Sequence, residues 1–306
     1  MLDVRRLRLL RELSHRGTIA AVAEALVLTP SAVSQQLGVL EREAGVPLLE
    51  RAGRRLVLTP AARTLVRHTE VVLDHLERAG AELQRARRGL AGPVRLGTFP
   101  TAARAIVPAA LVALAERHPG LEPMLSEIDP ARLPDALRAG ELDLALTHDY
   151  DLVPVPPEPG VAVEPLCVEA VFVASPRDVP GDPGASGLAR WRAEPWIIAL
   201  PGTSCEVATL RACQAAGFAP RVRHRVDEFA TVLALVAAGQ GVAVVPRLAL
   251  GAVPAGVALQ PLPLHRRTGV AHRAGAARHP AVAAVTAALR EAVPPDLTAT
   301  PLPAPS

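Results

Sequence analysis

At 306 residues, half of them hydrophobic and 21% charged, the chain is long enough for two or three domains, and its few aromatic residues leave Ala, Val and Leu to build the cores. So few rings exclude a reader of single-stranded nucleic acid that stacks bases on aromatic platforms, and the 33 basic residues are all arginine, which excludes Schiff-base chemistry and a P-loop lysine. The net charge of +3 is unevenly spread: residues 1–92 hold 15 Arg against 10 acidic residues and residues 93–306 hold 18 against 20, so the N-terminal end is the one suited to nucleic acid.

Leu2, Leu7, Leu9, Leu10 and Leu13 share one helical face that Gly17 ends. The same segment carries charges through its apolar positions and has no signal-peptide core. No apolar run reaches the roughly 18–20 residues of a membrane span. A cytoplasmic location and no membrane partner are therefore expected. Thr18 is the N-cap of a short helix, IAAVAEAL. Thr29 as cap and Pro30 as first residue open a third helix, TPSAVSQQLGVLERE, which turns Val33, Leu37 and Leu40 inward. Ser31, Ser34, Gln35 and Gln36 are left outward near its start. A small helix, a tight turn and a helix offering short polar groups make a helix-turn-helix, in which Gln can read adenine through two hydrogen bonds. Gly38 sits inside this helix at a cost of about 1 kcal/mol relative to Ala.

The next segment, PLLERAGRRLVLTP, has two short strand-like runs around Ala52-Gly53, with Arg51, Arg54 and Arg55 at the tip. A basic hairpin beside a recognition helix predicts a winged helix-turn-helix over residues 1–60, the arginines gripping phosphate or minor groove. From Pro60 to Leu90 nothing breaks a helix. Leu65, Val72, Leu76, Ala79 and Leu83 space as an a/d seam, with Thr69 in the gap. Residues 61–90 are thus expected to be a dimerising linker helix, giving a homodimer or homotetramer with two recognition helices for two half-sites.

The stretch GTIAAVAEALVLTPSAVSQQLGVLEREAGVPLLERAGRRLVLTPAA resembles the DNA-binding domain of the LysR-type transcriptional regulators. Val22-Ala23, Leu49 and Ala62 stand where that family usually has Ala-Ala, Phe and Gly, all mild changes. The resemblance implies double-stranded promoter DNA and RNA polymerase as partners.

After Gly92-Pro93 strands and helices alternate: PVRLGTF, one helix PTAARAIVPAALVALAERHPG, LEPMLSEI, PARLPDALRAG and ELDLALT. Such a βαβαβ run predicts a parallel sheet. The Pro-rich DLVPVPPEPG leads to a second α/β unit that runs from VEPLCVEAVFVAS to GVAVVP. TGVAHR and PAVAAVTAALREAV return to the first. The expected division of the 91–293 domain is lobe 1 at about 91–161 plus 268–293 and lobe 2 at about 162–267, with a disordered tail at 294–306. RAGELDLAL and LVAAGQGVAVVP are similar to the periplasmic-binding-protein-like effector domain of the same family. The fold class is α/β: winged helix-turn-helix, linker helix and two-lobed effector domain.

Ligands of such folds sit between lobes, at strand ends and helix starts. Two junctions are rich in small polar residues: Thr98, Pro100 and Thr101, and Gly202, Thr203 and Ser204. With Glu228, the first residue of EFATVLALVAAG, they form the candidate effector site, suited to a small monocarboxylate. Ordinary helix capping is the other reading of each hydroxyl. No nucleophile, metal, phosphate-loop or dinucleotide motif appears, so neither enzymatic activity nor a cofactor nor a metal is expected. His148, near Asp149 and Asp151, reads as part of a polar crossover loop. Cys205 and Cys213 are like the paired cysteines of peroxide-sensing relatives, which makes a redox-responsive regulator the first alternative. Eight residues apart on one helix they stand about 12 Å apart, too far to bridge without local unfolding. A solute-binding protein or enzyme with an incidental N-terminal domain is the alternative from another class.

Overall fold

Three capped helices open the computed structural model, which describes residues 2–297 except 53, 54, 87–89, 129 and 155. Helix α1 (Val4–Arg16) starts at Asp3, whose carboxylate accepts from the amides of Arg5 and Arg6 (2.8 and 3.2 Å), and ends at Gly17. Thr18 caps α2 (Ile19–Ala25), and Thr29 caps α3 (Pro30–Ala44). Leu10, Val22, Val33, Leu37, Leu40 and Leu48 close the head's core. The turn between α2 and α3 holds Val27 at φ 53°, a left-handed conformation that costs a β-branched residue roughly 1–2 kcal/mol. Strands β1 (Leu49–Ala52) and β2 (Arg55–Leu58) pair antiparallel, Leu49 opposite Leu58. Glu41 of α3 anchors this hairpin by accepting from the amides of Leu48 (2.9 Å) and Leu49 (3.0 Å).

Helix α4 (Pro60–Ala86) has 27 residues, about 40 Å at 1.5 Å per residue. Ala62, Val66 and Thr69 are buried, and α4 packs along α1. Leu90, expected as the end of this helix, lies outside it and packs on the core of the next domain.

That domain contains β3 (Gly92–Thr98), α5 (Pro100–Ala105), α6 (Val107–Arg117), β4 (Leu121–Glu127), α7 (Leu133–Ala139) and β5 (Leu144–Tyr150). The single helix expected over 100–120 is two, because Pro108 has no N–H to continue the hydrogen-bond ladder and its ring crowds the preceding turn. There follow β6 (Val161–Pro176), β7 (Pro195–Ile198), α8 (Ser204–Ala215), β8 (Arg221–Arg225), α9 (Phe229–Ala237), β9 (Ala243–Pro246), β10 (Val257–Arg273) and α10 (Pro280–Glu291). The main sheet runs β4-β3-β5-β10-β6-β9, and β7-β8 form a small parallel sheet. β3 is parallel to β4 and β5, whereas β10 is antiparallel to β5 and β6. β6 and β10 are 16 and 17 residues long, so one antiparallel pair runs through both halves where the sequence reading drew separate pieces.

On one sheet face Leu96, Leu144, Leu146 and Val270 pack with residues of α6 and α10; on the other, Ala145 and Ala271 pack with Leu133 and Leu137 of α7. The second half has its own cores around Trp191, Trp196 and Cys213 and around Val232, Val236 and Val245. Residues 294–297 correct the expected tail: Leu297 is buried in the first core and Asp296 pairs with Arg247. Residues 298–306 lie outside the described part. The head rests on α7: Arg8 donates to the carbonyls of Arg138 (2.9 Å) and Ala139 (3.2 Å), and Arg16 pairs with Asp135 (2.9 Å).

Candidate nucleic-acid interface and effector cleft

One stripe of α3 faces outward: Ser31, Ser34, Gln35 and Arg42 are exposed, with half-buried Gly38 between them. The spacing of three and four places them on one side of the helix. Thr29 and Pro30 stand exposed at its start; the Thr29 hydroxyl accepts from the Ala32 amide (3.2 Å) and meets Ser31 Oγ (3.0 Å). Gln36 departs from the expectation. It is half-buried, and its Oε1 accepts from Arg6 Nε (2.9 Å), while Arg6 also pairs with Glu43. Neighbouring helix residues diverge by about 100°, so Gln36 turns to α1 while Gln35 faces out. Arg42, which the sequence reading passed over, extends the stripe with a cation. A Cβ on Gly38 would meet nothing within 4 Å, so packing inside the head does not require glycine there. The hairpin strands end at Ala52 and resume at Arg55. Arg54 and the side chains of Arg51 and Arg55 lie outside the described residues.

On α4, Val72 (38% exposed), Leu76 (51%) and Ala79 lie uncovered about a quarter turn from the face that packs on α1, and Val71 lies bare beside them. Leu65 differs: it packs on the head's core. Thr69 is buried and donates to the Leu65 carbonyl (2.8 Å). The side chain of Leu83 lies outside the described residues.

The candidate effector residues converge on one place, but most hydroxyls already have protein partners. Thr98 is buried and donates to the Phe99 carbonyl (3.3 Å). Pro100 opens α5, only six residues long, so little helix dipole stands behind it. Thr101 is buried and accepts from Arg266 Nη2 (2.8 Å). Thr203 accepts from the Glu206 amide (3.2 Å) and donates to the Leu200 carbonyl (2.9 Å). The Gly202 amide donates to Glu206 (2.8 Å), and Glu228 caps α9 through the amides of Ala230 and Thr231 (2.9 and 2.6 Å). Capping is therefore what Thr203 and Glu228 visibly do.

Several side-chain contacts bridge the halves, two of them between candidate effector residues and the facing lobe. Ser204 Oγ lies 3.0 Å from His148 Nε2, and Arg104 of α5 lies 3.7 Å from Glu228. His148 is a strand residue of β5, not part of a crossover loop, and it is 7% exposed. Phe99 and Tyr150 meet its ring edge-on, with centroids at 4.5 and 5.8 Å. Burial, with Arg266 nearby, pushes its pKa down to about 3, so it is a neutral imidazole at pH 7.

Behind this cluster lies a pair the sequence reading did not single out. Arg266 of β10 is 1% exposed, donates through Nε to Glu169 of β6 (2.7 Å) and stands 5.1 Å from the centre of the Phe99 ring. Burial alone would lower its pKa, but Glu169 outweighs this and holds it up. Glu169 also accepts from the Leu248 amide (2.6 Å). The signal was Glu169, a lone charge in the apolar run CVEAVFVAS, which burial requires to be paired; Arg266, in the polar run His265-Arg266-Arg267, gave no such signal.

The two α8 thiols are not activated. Burial pushes Cys213 up to about 12 and raises Cys205, despite Arg266 and a contact of 3.3 Å with the Tyr150 hydroxyl. Both stay protonated at pH 7, whereas a reactive thiol needs a lowered pKa. Among the described residues no group of three or more His, Cys, Asp or Glu is placed to hold a metal ion, and no helix is long and apolar enough to cross a membrane.

A capped helix pair with a wing, a long connecting helix and a two-lobed α/β body define a DNA-binding regulator with an effector domain. Family models agree with both parts: the bacterial regulatory helix-turn-helix protein of the lysR family matches residues 4–63, and the LysR substrate binding domain matches residues 87–294. The chain is 33% identical over 259 residues to the HTH-type transcriptional regulator TfdS of Cupriavidus pinatubonensis, covering 80% of this chain and 82% of that one. It is 31% identical over 300 residues to a probable hydrogen peroxide-inducible genes activator of Streptomyces viridosporus, covering 92% and 94%. Among solved structures, the Corynebacterium glutamicum OxyR C206 mutant matches with a TM-score of 0.58 and 26% identity, covering 95% of this chain and 92% of that one. The chain belongs to the LysR family of transcriptional regulators. Both parts of the chain match this one family, so the N-terminal domain is not incidental to the body.

Proposed function

We propose that Ser31, Ser34 and Gln35 read base edges in the major groove while Arg42 and the wing arginines Arg51, Arg54 and Arg55 hold phosphate or minor groove. The exposed α3 stripe carries this reading, because the rest of that helix is turned into the head. Thr29 and Pro30 set the start of the helix at the groove. The bare apolar edge of α4, Val72, Leu76 and Ala79, supports a homodimer, with a homotetramer as its doubled form. The protein acts in the cytoplasm on promoter DNA, contacts RNA polymerase there and has no catalytic activity of its own. Selection of bound sequences from a random duplex pool tests this. Sites with two half-sites about one helical turn or a multiple of it apart are expected; enrichment of none, or of single-stranded sequences, would overturn it.

The effector-binding part of the proposal is a small monocarboxylate between the lobes. Arg104 at the mouth and Arg266 behind Phe99 supply positive charge, Ser204 a hydroxyl and His148 a neutral ring. Thr98, Thr101, Thr203 and Glu228 hold these groups in place. An effector that displaces the Ser204–His148 contact changes how the lobes meet, and so how the paired heads are held. A thermal-shift panel of small carboxylates on the wild-type protein and on Arg104→Ala tests it. Stabilisation by one carboxylate series that the variant loses is the expected result; equal responses in both proteins, or responses only to uncharged compounds, would place the effector elsewhere.

A further inference from the structure

Helix α3 holds one residue whose type its own fold does not explain. Gly38 lies in the interior of a 15-residue helix that runs unbroken from Pro30 to Ala44. A glycine there weakens a helix relative to alanine, because it gives up more backbone freedom on folding. Three structural requirements commonly hold a glycine in place, and Gly38 meets none of them. It does not end the helix, which Gly45 does at φ 69°. Its backbone is not left-handed, for it is not among the glycines with positive φ. A Cβ built on it would meet nothing within 4 Å among the described residues, unlike Gly97 of β3, where one would come within 2.6 Å of Leu142 Cδ1. The head therefore folds at least as well with alanine at this position.

What sets Gly38 apart is the face it stands on. It follows Ser34 by four residues and Gln35 by three, and precedes Arg42 by four; all three side chains are exposed. Gly38 is thus in the middle of the outward stripe, one turn from the groups offered to base edges and one turn from the cation offered to phosphate. A serine hydroxyl reaches little beyond its own Cα, so Ser34 touches a base edge only when the helix backbone lies deep in the groove. At that depth the residue between the base-reading turn and the phosphate-binding turn meets the groove wall. A side chain there would hold the helix out.

We propose that Gly38 is the point where the backbone of the recognition helix lies directly against DNA, its Cα in van der Waals contact with a deoxyribose of the groove wall, and that its missing side chain sets how deeply the helix enters. This rests on the reading of the α3 stripe given above. A methyl group at position 38 pushes the backbone away from the wall, and the hydrogen bonds of Ser34 and Gln35 then stretch. A withdrawal of about 1 Å takes a bond of about 2.9 Å past its useful range. Arg42, on a long flexible stem, follows the shift and keeps its phosphate. Gly38 is a positioning residue: it acts through the depth at which Ser34 and Gln35 read the bases.

Gly38→Ala in the full chain, with Gln35→Ala beside it, tests this. Fluorescence anisotropy reads binding to the tightest duplex recovered from a random pool and to a random duplex, and urea unfolding reads stability. Gly38→Ala should unfold at a higher urea concentration than the wild type, since alanine has less backbone freedom to lose. Its affinity for the selected duplex should nevertheless fall by about tenfold or more, while its affinity for random duplex changes little. Higher stability together with lost specific binding is a combination that a merely structural glycine does not give. The proposal is overturned if Gly38→Ala binds the selected duplex as tightly as the wild type, or if it unfolds at a lower urea concentration. Gln35→Ala separates the two readings. If it relaxes base preference while Gly38→Ala binds normally, the close approach fails and the stripe stands; if neither variant changes binding, the stripe itself does not face DNA.

Discussion

Ser204, the first residue of α8, meets His148 near the end of β5 at 3.0 Å, and this side-chain contact joins one lobe to the other across 56 residues of sequence. It rests on an imidazole that is neutral because it is buried and close to Arg266. The unfolded chain takes up a proton at His148 near pH 6.5, whereas the folded chain resists until about pH 3. Between these values the unfolded state binds more protons, so stability falls as pH falls, by up to about 1.4 kcal/mol per pH unit from this group. Above pH 6.5 the group makes no pH-dependent contribution. His148→Gln should flatten the acid limb. Urea unfolding from pH 7.5 to 5 is the measurement, and parallel pH profiles for wild type and variant would show that His148 is not the titrating group.

The Arg266–Glu169 pair makes a second prediction. Glu169→Gln keeps the shape but leaves Arg266 as a buried charge without its counterion, at a cost of about 3–5 kcal/mol. Replacing both, Arg266→Met with Glu169→Leu, should cost far less, since no charge is then stranded. Chemical denaturation of the three proteins decides it. A loss below about 1 kcal/mol in the single variant would mean that water reaches Arg266.

The head was legible because its signals are local. Thr18, Thr29, Pro30 and Gly17 each act within one turn of their own helix, and the structure puts them at the caps. The break at Pro108 was equally local and was overlooked. β6 and β10 were harder: much of each is buried on both faces, so alternation gives no clue to where such a strand ends. In the cleft, capping and ligand binding draw on the same hydroxyls, and the sequence has no way to tell Thr203, which caps, from Ser204, which reaches the other lobe. The His148–Ser204 contact is purely tertiary. Glu169 was readable as a charge inside an apolar strand, though its pairing with Arg266 was not.

The α3 stripe separates two adjacent glutamines. Gln35→Ala should cost about 1–3 kcal/mol at one base position and relax preference there. Gln36→Ala should instead release Arg6 and cost affinity with little change in preference, since its Oε1 already belongs to Arg6. Arg42→Ala should weaken all sequences and reduce the salt dependence by roughly one unit of slope. Binding assays on specific and random duplexes at several salt concentrations read all three. Loss of base preference in Gln36→Ala but not in Gln35→Ala would reverse the assignment.

Leu76 is half exposed in the middle of α4, on the edge it shares with Val72 and Ala79. A single chain leaves this apolar edge in water although the next face of the same helix is covered by α1. Two copies packed edge to edge would bury it, with Leu76 at or near its symmetry mate. Leu76→Glu would then place two carboxylates together in a desolvated seam, where neither finds a cation. Leu76 is already half exposed in the single chain, so the folded monomer should keep most of its stability. The expected result is a shift to monomer in sedimentation velocity with an unchanged circular dichroism spectrum. Operator affinity should fall by more than tenfold, because each head then binds its half-site without the local concentration supplied by the other. Leu76→Glu protein that still sediments as the wild type would rule out this edge as the dimer contact.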